Sequence, residues 1–247
     1  MRRELENYIG QLLSVDRFRD YSPNGLQIEG RTEIRRIVTG VTASQALIDA
    51  AIVQKADALI VHHGFFWKGE NPCLVHTKKA RIAKLLAADL NLLAYHLPLD
   101  AHPELGNNAQ LGLRLGITPT GRFGEQDMVW LGELPQALPL AVLGAEITQI
   151  LGREPLLLGD TQRPVRKLAW CSGGAQSYFH DIAMLDVDCF ITGEASEFVT
   201  HLAQESGVAF IAAGHHATET FGVAALGQHL AAHFGIEHLH IDIRNPV

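Results

Sequence analysis

Three segments of the chain carry histidines and carboxylates that could together bind a metal ion. Each segment follows an apolar run of the kind found in strands that are buried on both faces of a parallel sheet. The candidate ligands are His62 and His63, His96 and Asp100, and His215, His216 and Glu219. Imidazole and carboxylate groups suit Zn²⁺, Fe²⁺, Mn²⁺ or Ni²⁺ rather than Ca²⁺ or Mg²⁺. Because ligands bind beyond the carboxyl ends of strands in a doubly wound sheet, we expect these residues to form a transition-metal site.

The number of candidate ligands predicts more than one metal ion. A single metal that keeps a water position needs about three protein ligands, whereas at least five candidates are available here. We therefore predict two ions, bridged by either Asp100 or Glu219. His215 and Glu219 are four residues apart, so they would share one face if residue 215 opens the last helix. Taken alone, the pair His62-His63 fits a metal site and a loop without a ligand equally well.

Residues next to the first histidine pair, and at its counterpart later in the chain, add further candidates. Gly64 can adopt φ > 0, which would turn the chain so that both imidazoles face one cavity. The following Phe65-Phe-Trp67 could stack a planar ring beside the metals or seal a contact between subunits. Glu194 could support a ligand, act as a general base or contact substrate, and it could equally form a plain salt bridge. The sequence leaves these roles open.

The chain repeats a strand–turn–helix–strand pattern. Residues 37–63 align with residues 168–194 without a gap, so that Val41-Thr-Ala falls on Ser172-Gly-Gly at the turn. The matched order of elements predicts an α/β fold of two similar domains, produced by internal duplication, with the metal site in the cleft between them. The first domain, residues 1–125, would hold His62, His63 and Asp100. The second, residues 126–247, would hold His215 and Glu219, with its C-terminal helix and strand able to pack on the first domain.

The secondary structure of the region between the repeats is predicted from its proline and glycine residues. Pro119, Gly121 and Gly124 indicate that residues 117–125 form a connector. A strand is predicted over 128–134, and a helix is predicted to begin at Pro139 and end at Gly152. The final elements are a helix over 219–233 and a strand over 238–243.

The composition of the chain excludes some classes of function and favours others. The chain has 247 residues, a formal net charge of −7 and a pI near 6.0, which argues against general affinity for the nucleic-acid backbone. A nucleotide as a small-molecule substrate is compatible with this charge. The three cysteines have no CxxC spacing, no apolar run is long enough to span a membrane, and Met1-Arg-Arg does not open a signal peptide. We expect a cytoplasmic protein.

The motifs of this chain resemble those of a known family, the Nif-three-like dinuclear metal-centre proteins, also called GTP cyclohydrolase 1 type 2 homologues. The resemblance covers almost the whole chain. The motifs most specific to the family are the paired histidines His62-His63 and the later His215-x-x-x-Glu219. The motifs are Asn24-Gly-Leu-Gln-Ile28, Val41-Thr-Ala-Ser44, Leu59-Ile-Val-His-His-Gly64, His96-Leu-Pro-Leu-Asp100, Gly106-Asn-Asn108, Ile191-Thr-Gly-Glu194 and Gly214-His-His-Ala-Thr-Glu219.

The resemblance implies a ligand set and an assembly. Two divalent ions (Fe, Zn, Mn or Ni) would be bound by His62, His63, Asp100, His215 and Glu219. His96 would sit beside them as a supporting or substrate-contacting residue, and the chain would form a homohexameric ring. This chain departs from many relatives in having Gly64 in place of a proline and His216 in place of an aromatic residue, which argues against His216 as a ligand.

The ligand set and the resemblance lead to one main hypothesis for function. The protein would be a dinuclear metal-dependent hydrolase that acts on a purine nucleotide or a damaged nucleotide through a metal-activated water. If the family label applies, the ring of a guanine nucleotide would be opened at C8 with release of formate. His96 or Glu194 would move protons. One alternative is a metallo-phosphoesterase or amidohydrolase acting on another small metabolite. The other is a non-catalytic metal-binding scaffold or regulator whose ring binds a partner.

Overall fold

The computed structural model describes residues 1–247 as two compact units, each built on its own β-sheet. The first unit comprises Met1–Gly106 and Gly222–Ile243, and the second comprises Asn107–Phe221 and Arg244–Val247. Both units combine helices with a sheet that contains neighbouring parallel strands, which confirms the predicted α/β class. No helix is long and apolar enough to cross a membrane, which takes about 20 residues.

The first unit has a five-stranded sheet in the order β1-β4-β3-β2-β11. Strands β4, β3, β2 and β11 are parallel, and β1 pairs antiparallel with β4 at one edge. The strands are β1 (Gly25–Ile28), β2 (Arg36–Thr42), β3 (Ala58–His63), β4 (Asn91–Ala94) and β11 (Glu237–His240). The helices are α1 (Arg2–Leu12), α2 (Gln45–Val53), α3 (His76–Ala87), α4 (Leu97–Ala101) and most of α10 (Thr220–Phe234).

Strand β3 is buried on both faces, which explains its continuous apolar run. Leu59 and Val61 pack in a core with residues of α2 and α3, whereas Ala58 and Ile60 pack in a second core with residues of α1 and α10. All four are fully buried. The strand that leads to the first histidine pair is therefore held from both sides of the sheet.

The second unit has a six-stranded sheet in the order β5-β6-β8-β9-β10-β7. Strands β8, β9 and β10 are parallel, and the other three pair antiparallel. The strands are β5 (Thr118–Phe123), β6 (Val129–Pro139), β7 (Leu156–Leu158), β8 (Pro164–Trp170), β9 (Cys189–Thr192) and β10 (Ala209–Ala212). The helices are α5 (Asn107–Arg114), α6 (Leu140–Leu151), α7 (Phe179–Ile182), α8 (Glu197–Ser206) and α9 (His215–Thr218).

The predicted connector over 117–125 is wrong, because Thr118–Phe123 forms strand β5. This strand is the edge of the second sheet and is mostly exposed, so Pro119 and Gly121 are tolerated there as they would not be in a central strand. Its antiparallel pairing with β6 places residues 107–123 in the second unit. The unit boundary thus lies after Gly106, earlier than the domain boundary expected after residue 125.

The predicted repeat has a counterpart in the pairing of the strands. Ile37 pairs with Ala58 between the parallel strands β2 and β3, and Leu168 pairs with Cys189 between the parallel strands β8 and β9. These are the positions that the ungapped alignment superimposes. Common ancestry of the two units by duplication stays a prediction.

Candidate metal centre

Three imidazoles lie together at the end of the first sheet. His62 and His63 close β3, and His96 follows β4 on the neighbouring strand. One ring nitrogen from each lies within 4.8 Å of the others. The ring centroid of His62 lies 4.5 Å from that of His63 and 5.0 Å from that of His96. The first unit therefore supplies a cluster of nitrogen donors that could hold a metal ion.

Hydrogen bonds on the Nδ1 atoms orient the two histidines of β3. Nδ1 of the fully buried His62 lies 2.9 Å from the backbone oxygen of Tyr95. A carbonyl oxygen only accepts, so this Nδ1 carries a proton, and in the neutral imidazole Nε2 then carries the lone pair. Nδ1 of His63 lies 3.3 Å from the hydroxyl oxygen of Thr42. Such support on the second ring nitrogen is what metal-binding histidines commonly have.

The carboxylate of Asp100 shows that a cation fits this end of the sheet. Asp100, in the short helix α4, is 6% exposed, and its Oδ1 lies 3.5 Å from Nε2 of His62. When the His62 imidazole is neutral, a nitrogen lone pair and a carboxylate oxygen face each other in a buried place, which is unfavourable unless a cation lies between them. The residues of the first unit therefore fit a bound metal ion.

Gly64 contributes through its size and not through its backbone conformation. The expected φ > 0 is wrong, because Gly64 is absent from the residues with positive φ. A side chain here would collide with the carboxamide of Gln27 and would come within 2.6 Å of the Ala94 side chain. The carboxamide of Gln27 instead makes two hydrogen bonds with the backbone of Phe65. The N–H of Phe65 donates to Oε1 over 2.6 Å, and Nε2 donates to the Phe65 oxygen over 3.1 Å. A glycine is required because neighbouring segments pack tightly against it.

Asp20 supports His96 and was not predicted from the sequence. Its carboxylate accepts a hydrogen bond of 2.9 Å from Nδ1 of His96, and it also accepts from Asn24 and from the backbone N–H of Leu97. Burial opposes the charged form, but the hydrogen bond and charge of His96, helped by the other donors, outweigh it and lower the pKa of Asp20 to about 2. The only signal in the sequence was an aspartate just before the turn Tyr21-Ser-Pro-Asn-Gly25, a position usually explained by the turn itself.

The second unit presents a carboxylate–imidazole–carboxylate set. Nδ1 of His215 lies 2.6 Å from Oε1 of Glu194, and Nε2 lies 3.3 Å from Oε2 of Glu219. Burial would lower the pKa of His215, but the hydrogen bonds and charges of Glu219 and Glu194 outweigh it and raise that pKa to about 9. A cation is thus strongly favoured beside these two carboxylates, whether it is a proton or a metal ion.

The backbone around this set explains how the residues meet. His215 lies in the single turn α9, and Glu219 falls at the break before α10, so the last helix begins at Thr220 and not at residue 215. The pair still meets, as its spacing of four predicts. Gly173 has φ of 68°, and a side chain there would collide with the carboxylate of Glu219 and lie 3.2 Å from Nε2 of His215. The loop after β8 can approach both side chains only because this residue is glycine.

The predicted site residues therefore fall into two sets, one in each unit. His62, His63, His96 and Asp100 belong to the first unit, and Glu194, His215 and Glu219 belong to the second. His216 is buried and donates its backbone N–H to the oxygen of Val247. Groups of histidine and carboxylate that could hold a metal are present; which of these residues bind one stays a prediction.

Sequence comparison relates the whole chain to one family. The family model described as Duf34/NIF3 (NGG1p interacting factor 3) matches residues 1–246. A protein of Neisseria meningitidis serogroup A, named GTP cyclohydrolase 1 type 2 homolog, is 53% identical over 246 residues, which cover 100% of this chain and 99% of the relative. A protein of the same name from Escherichia coli K12 is 51% identical over 244 residues, which cover 98% of either chain.

Solved structures share the fold. One described as protein ybgI, of unknown function, has 51% identity and a TM-score of 0.97, covering 100% of this chain and 99% of that chain. TTHA1606 from Thermus thermophilus has 35% identity and a TM-score of 0.86, with full coverage of both chains. Reduced HcgD from Methanocaldococcus jannaschii, at 20% identity and a TM-score of 0.84 over 98% of each chain, shows likeness of fold alone.

Proposed function

Because this chain belongs to the DUF34/NIF3 family, we propose that it is a metal-dependent hydrolase with two divalent ions. The proposed ligands are His62, His63, Asp100, His215 and Glu219. Each unit supplies fewer donors than two ions need, whereas the two sets together supply about five, with a carboxylate available as a bridge. Our proposal is that both sets serve one dinuclear centre.

The observation that carries this proposal is the pairing of His62 with Asp100. Tyr95 O fixes the proton of His62 on Nδ1, and Nε2 then faces a buried carboxylate oxygen at 3.5 Å. Bound divalent ions would lower the pKa of a coordinated water, making it a nucleophile near neutral pH. The imidazole of His96, held by Asp20, and the carboxylate of Glu194, held against His215, are the groups proposed to carry protons during hydrolysis.

A purine nucleotide is the proposed substrate, and the support for it is the name shared by the relatives, GTP cyclohydrolase 1 type 2 homolog. Hydrolysis at C8 of guanine would open the imidazole ring and release formate. A phosphoesterase or amidohydrolase acting on a different metabolite would use the same donors without formate release. The ring-shaped homohexamer and the cytoplasmic location are proposed on family resemblance alone.

Formate release tests the substrate. Metal-loaded protein is incubated with GTP, and formate is followed by a coupled assay, with His63→Ala as the inactive control and His201→Ala as the matched control. His201 is an exposed histidine of α8 that pairs only with Glu197 at 3.5 Å. We expect formate from the wild type and His201→Ala and little from His63→Ala. Turnover no higher than that of His63→Ala would rule out GTP as the substrate.

A further inference from the structure

Two aromatic side chains flank the imidazole of His96. The ring centroids of Tyr21 and Trp67 each lie 5.1 Å from that of His96, at interplanar angles of 69° and 88°. The two aromatic rings are 6.0 Å apart, and Trp67 is also 5.9 Å from His63. Tyr21 is 54% exposed although it is a large ring beside buried histidines. The imidazole cluster is thus bordered by an aromatic surface that is partly open to solvent.

Hydrogen bonds hold the two aromatic residues in place. The backbone N–H of Lys68 donates to the oxygen of Tyr21 over 2.7 Å, which ties the two loops directly. Nε2 of Gln27 donates to the backbone oxygens of Pro23 and Phe65, so it links the loop of Tyr21 to the loop of Trp67 a second time. Phe66 has φ of 68°, an unusual backbone conformation for a bulky residue and one that is often found at functional sites. This aromatic surface is therefore built into the fold before any ligand arrives.

The structure also separates the three aromatic residues that the sequence grouped together. Phe65 is 6% exposed and packs in the core under β3. Phe66 is directed toward Lys78, whose Nζ lies 5.0 Å from its ring centroid. Only Trp67 reaches the histidines, and its partner Tyr21 comes from a different segment of the chain. A stacking role for the whole Phe65-Phe-Trp67 stretch is therefore not supported.

We propose that Tyr21 and Trp67 form a subsite that stacks a planar, nitrogen-containing aromatic ring, such as a nucleobase, beside His96. The inference deepens the proposed function and rests on it for the role of the ring as part of the substrate. Aromatic side chains stack on bases without needing a particular hydrogen-bond pattern, and each such contact changes affinity by roughly 5- to 150-fold. The subsite would select ring-bearing substrates over plain sugar phosphates or peptides and bring the ring next to the proposed proton carrier.

Tryptophan fluorescence can test the subsite by itself. The chain has three tryptophans, and Trp130 and Trp170 are 4% and 0% exposed, so quenching by a ligand reports on Trp67. Guanosine 5′-monophosphate and ribose 5-phosphate are titrated into the wild type, with calorimetry for variants that lack the indole. Both chelator-treated and zinc-loaded protein are used. The variants are Trp67→Ala, Trp67→Phe and Tyr21→Ala, with Phe66→Leu as a matched control in the same loop.

We expect the nucleotide to quench the wild type and Phe66→Leu, and Trp67→Ala to bind it roughly 5- to 150-fold more weakly. Trp67→Phe keeps a ring and should bind within about threefold of the wild type, which separates stacking from a folding defect. Ribose 5-phosphate should bind much more weakly than the nucleotide. Equal nucleotide affinity in Trp67→Ala and the wild type, no nucleotide binding in either metal state, or a sugar phosphate that binds as well as the nucleotide would overturn the subsite. A missing formate product with intact ring binding would instead count against the proposed reaction.

Discussion

At the scale of single residues, the histidines of the first unit are set by the groups that bind their second ring nitrogen. Tyr95 O, Thr42 and Asp20 contact Nδ1 of His62, His63 and His96 respectively. Of these, Asp20 is the charged one, and its side chain is only 4% exposed. A buried carboxylate that accepts several hydrogen bonds is expensive to protonate or to replace. Asp20 should therefore matter to both stability and the orientation of His96.

Replacing Asp20 with asparagine should destabilise the protein by about 2 kcal/mol at pH 7. The pKa of Asp20 falls from 3.8 to about 2 on folding, so its contribution is present above pH 3.8 and is lost as the pH falls through 2. The difference in the free energy of unfolding between the wild type and Asp20→Asn should accordingly shrink over that range. Chemical denaturation at several pH values measures it.

Asp16→Asn provides the control for Asp20→Asn. Asp16 is an exposed residue in the same segment of the chain, so its replacement should change stability by less than about 0.5 kcal/mol. If Asp20→Asn were as stable as Asp16→Asn at pH 7, the carboxylate would not be supporting His96.

At the scale of elements, a histidine side chain joins strand β11 to strand β2. His238 Nε2 lies 2.8 Å from the hydroxyl of Thr39 on β2, and the same hydroxyl lies 3.0 Å from Nδ1 of His240. The His238 ring also packs against Gly227 of α10, where any side chain would collide with it. Burial, and then the neighbouring His240, lower the pKa of His238 to about 4.

Acid should therefore weaken this part of the first unit. Above pH 6.5 His238 is neutral in both the folded and the unfolded chain, whereas between pH 6.5 and 4 only the unfolded chain takes up the proton, so stability falls as the pH drops. The loss is about 1–3 kcal/mol, and it should be smaller in His238→Gln. Thermal unfolding across this range measures it, with His201→Gln on the exposed face of α8 as the control. Identical pH dependence in the wild type and His238→Gln would contradict this account.

The elements also show what the sequence could and could not predict. The end of α6 at Gly152 and the cap of α2 by Ser44 were predictable, because a left-handed glycine and a side chain that accepts from Leu47 N are local signals. Strand β5 was missed because its stability comes from pairing with β6 and not from its own residues. The roles of Asp20 and Tyr21 were also not predicted, because they too depend on contacts with distant residues. Their partners, His96 and Trp67, are distant in the chain, and no periodic pattern links them.

At the scale of the whole molecule, each unit holds one set of candidate ligands, predicted from the sequence by ligand type and spacing. The α/β class and the family resemblance are confirmed, since the family model matches residues 1–246 and the relatives cover the chain almost completely. The ligand roles and the number of ions remain proposals. They share one central claim, which is that His62 and Asp100 in one unit and His215 and Glu219 in the other serve the same dinuclear centre.

Metal analysis of protein purified without chelator tests that claim most directly. Metal content per chain is measured by mass spectrometry for the wild type, for His62→Ala and Asp100→Asn in the first unit, for Glu219→Gln in the second, and for His201→Ala as the control. We predict about two ions per chain in the wild type and the control, and about one or fewer whenever a ligand from either unit is lost. Fewer than one ion per wild-type chain, unchanged by the loss of His62 or Asp100, would contradict the account.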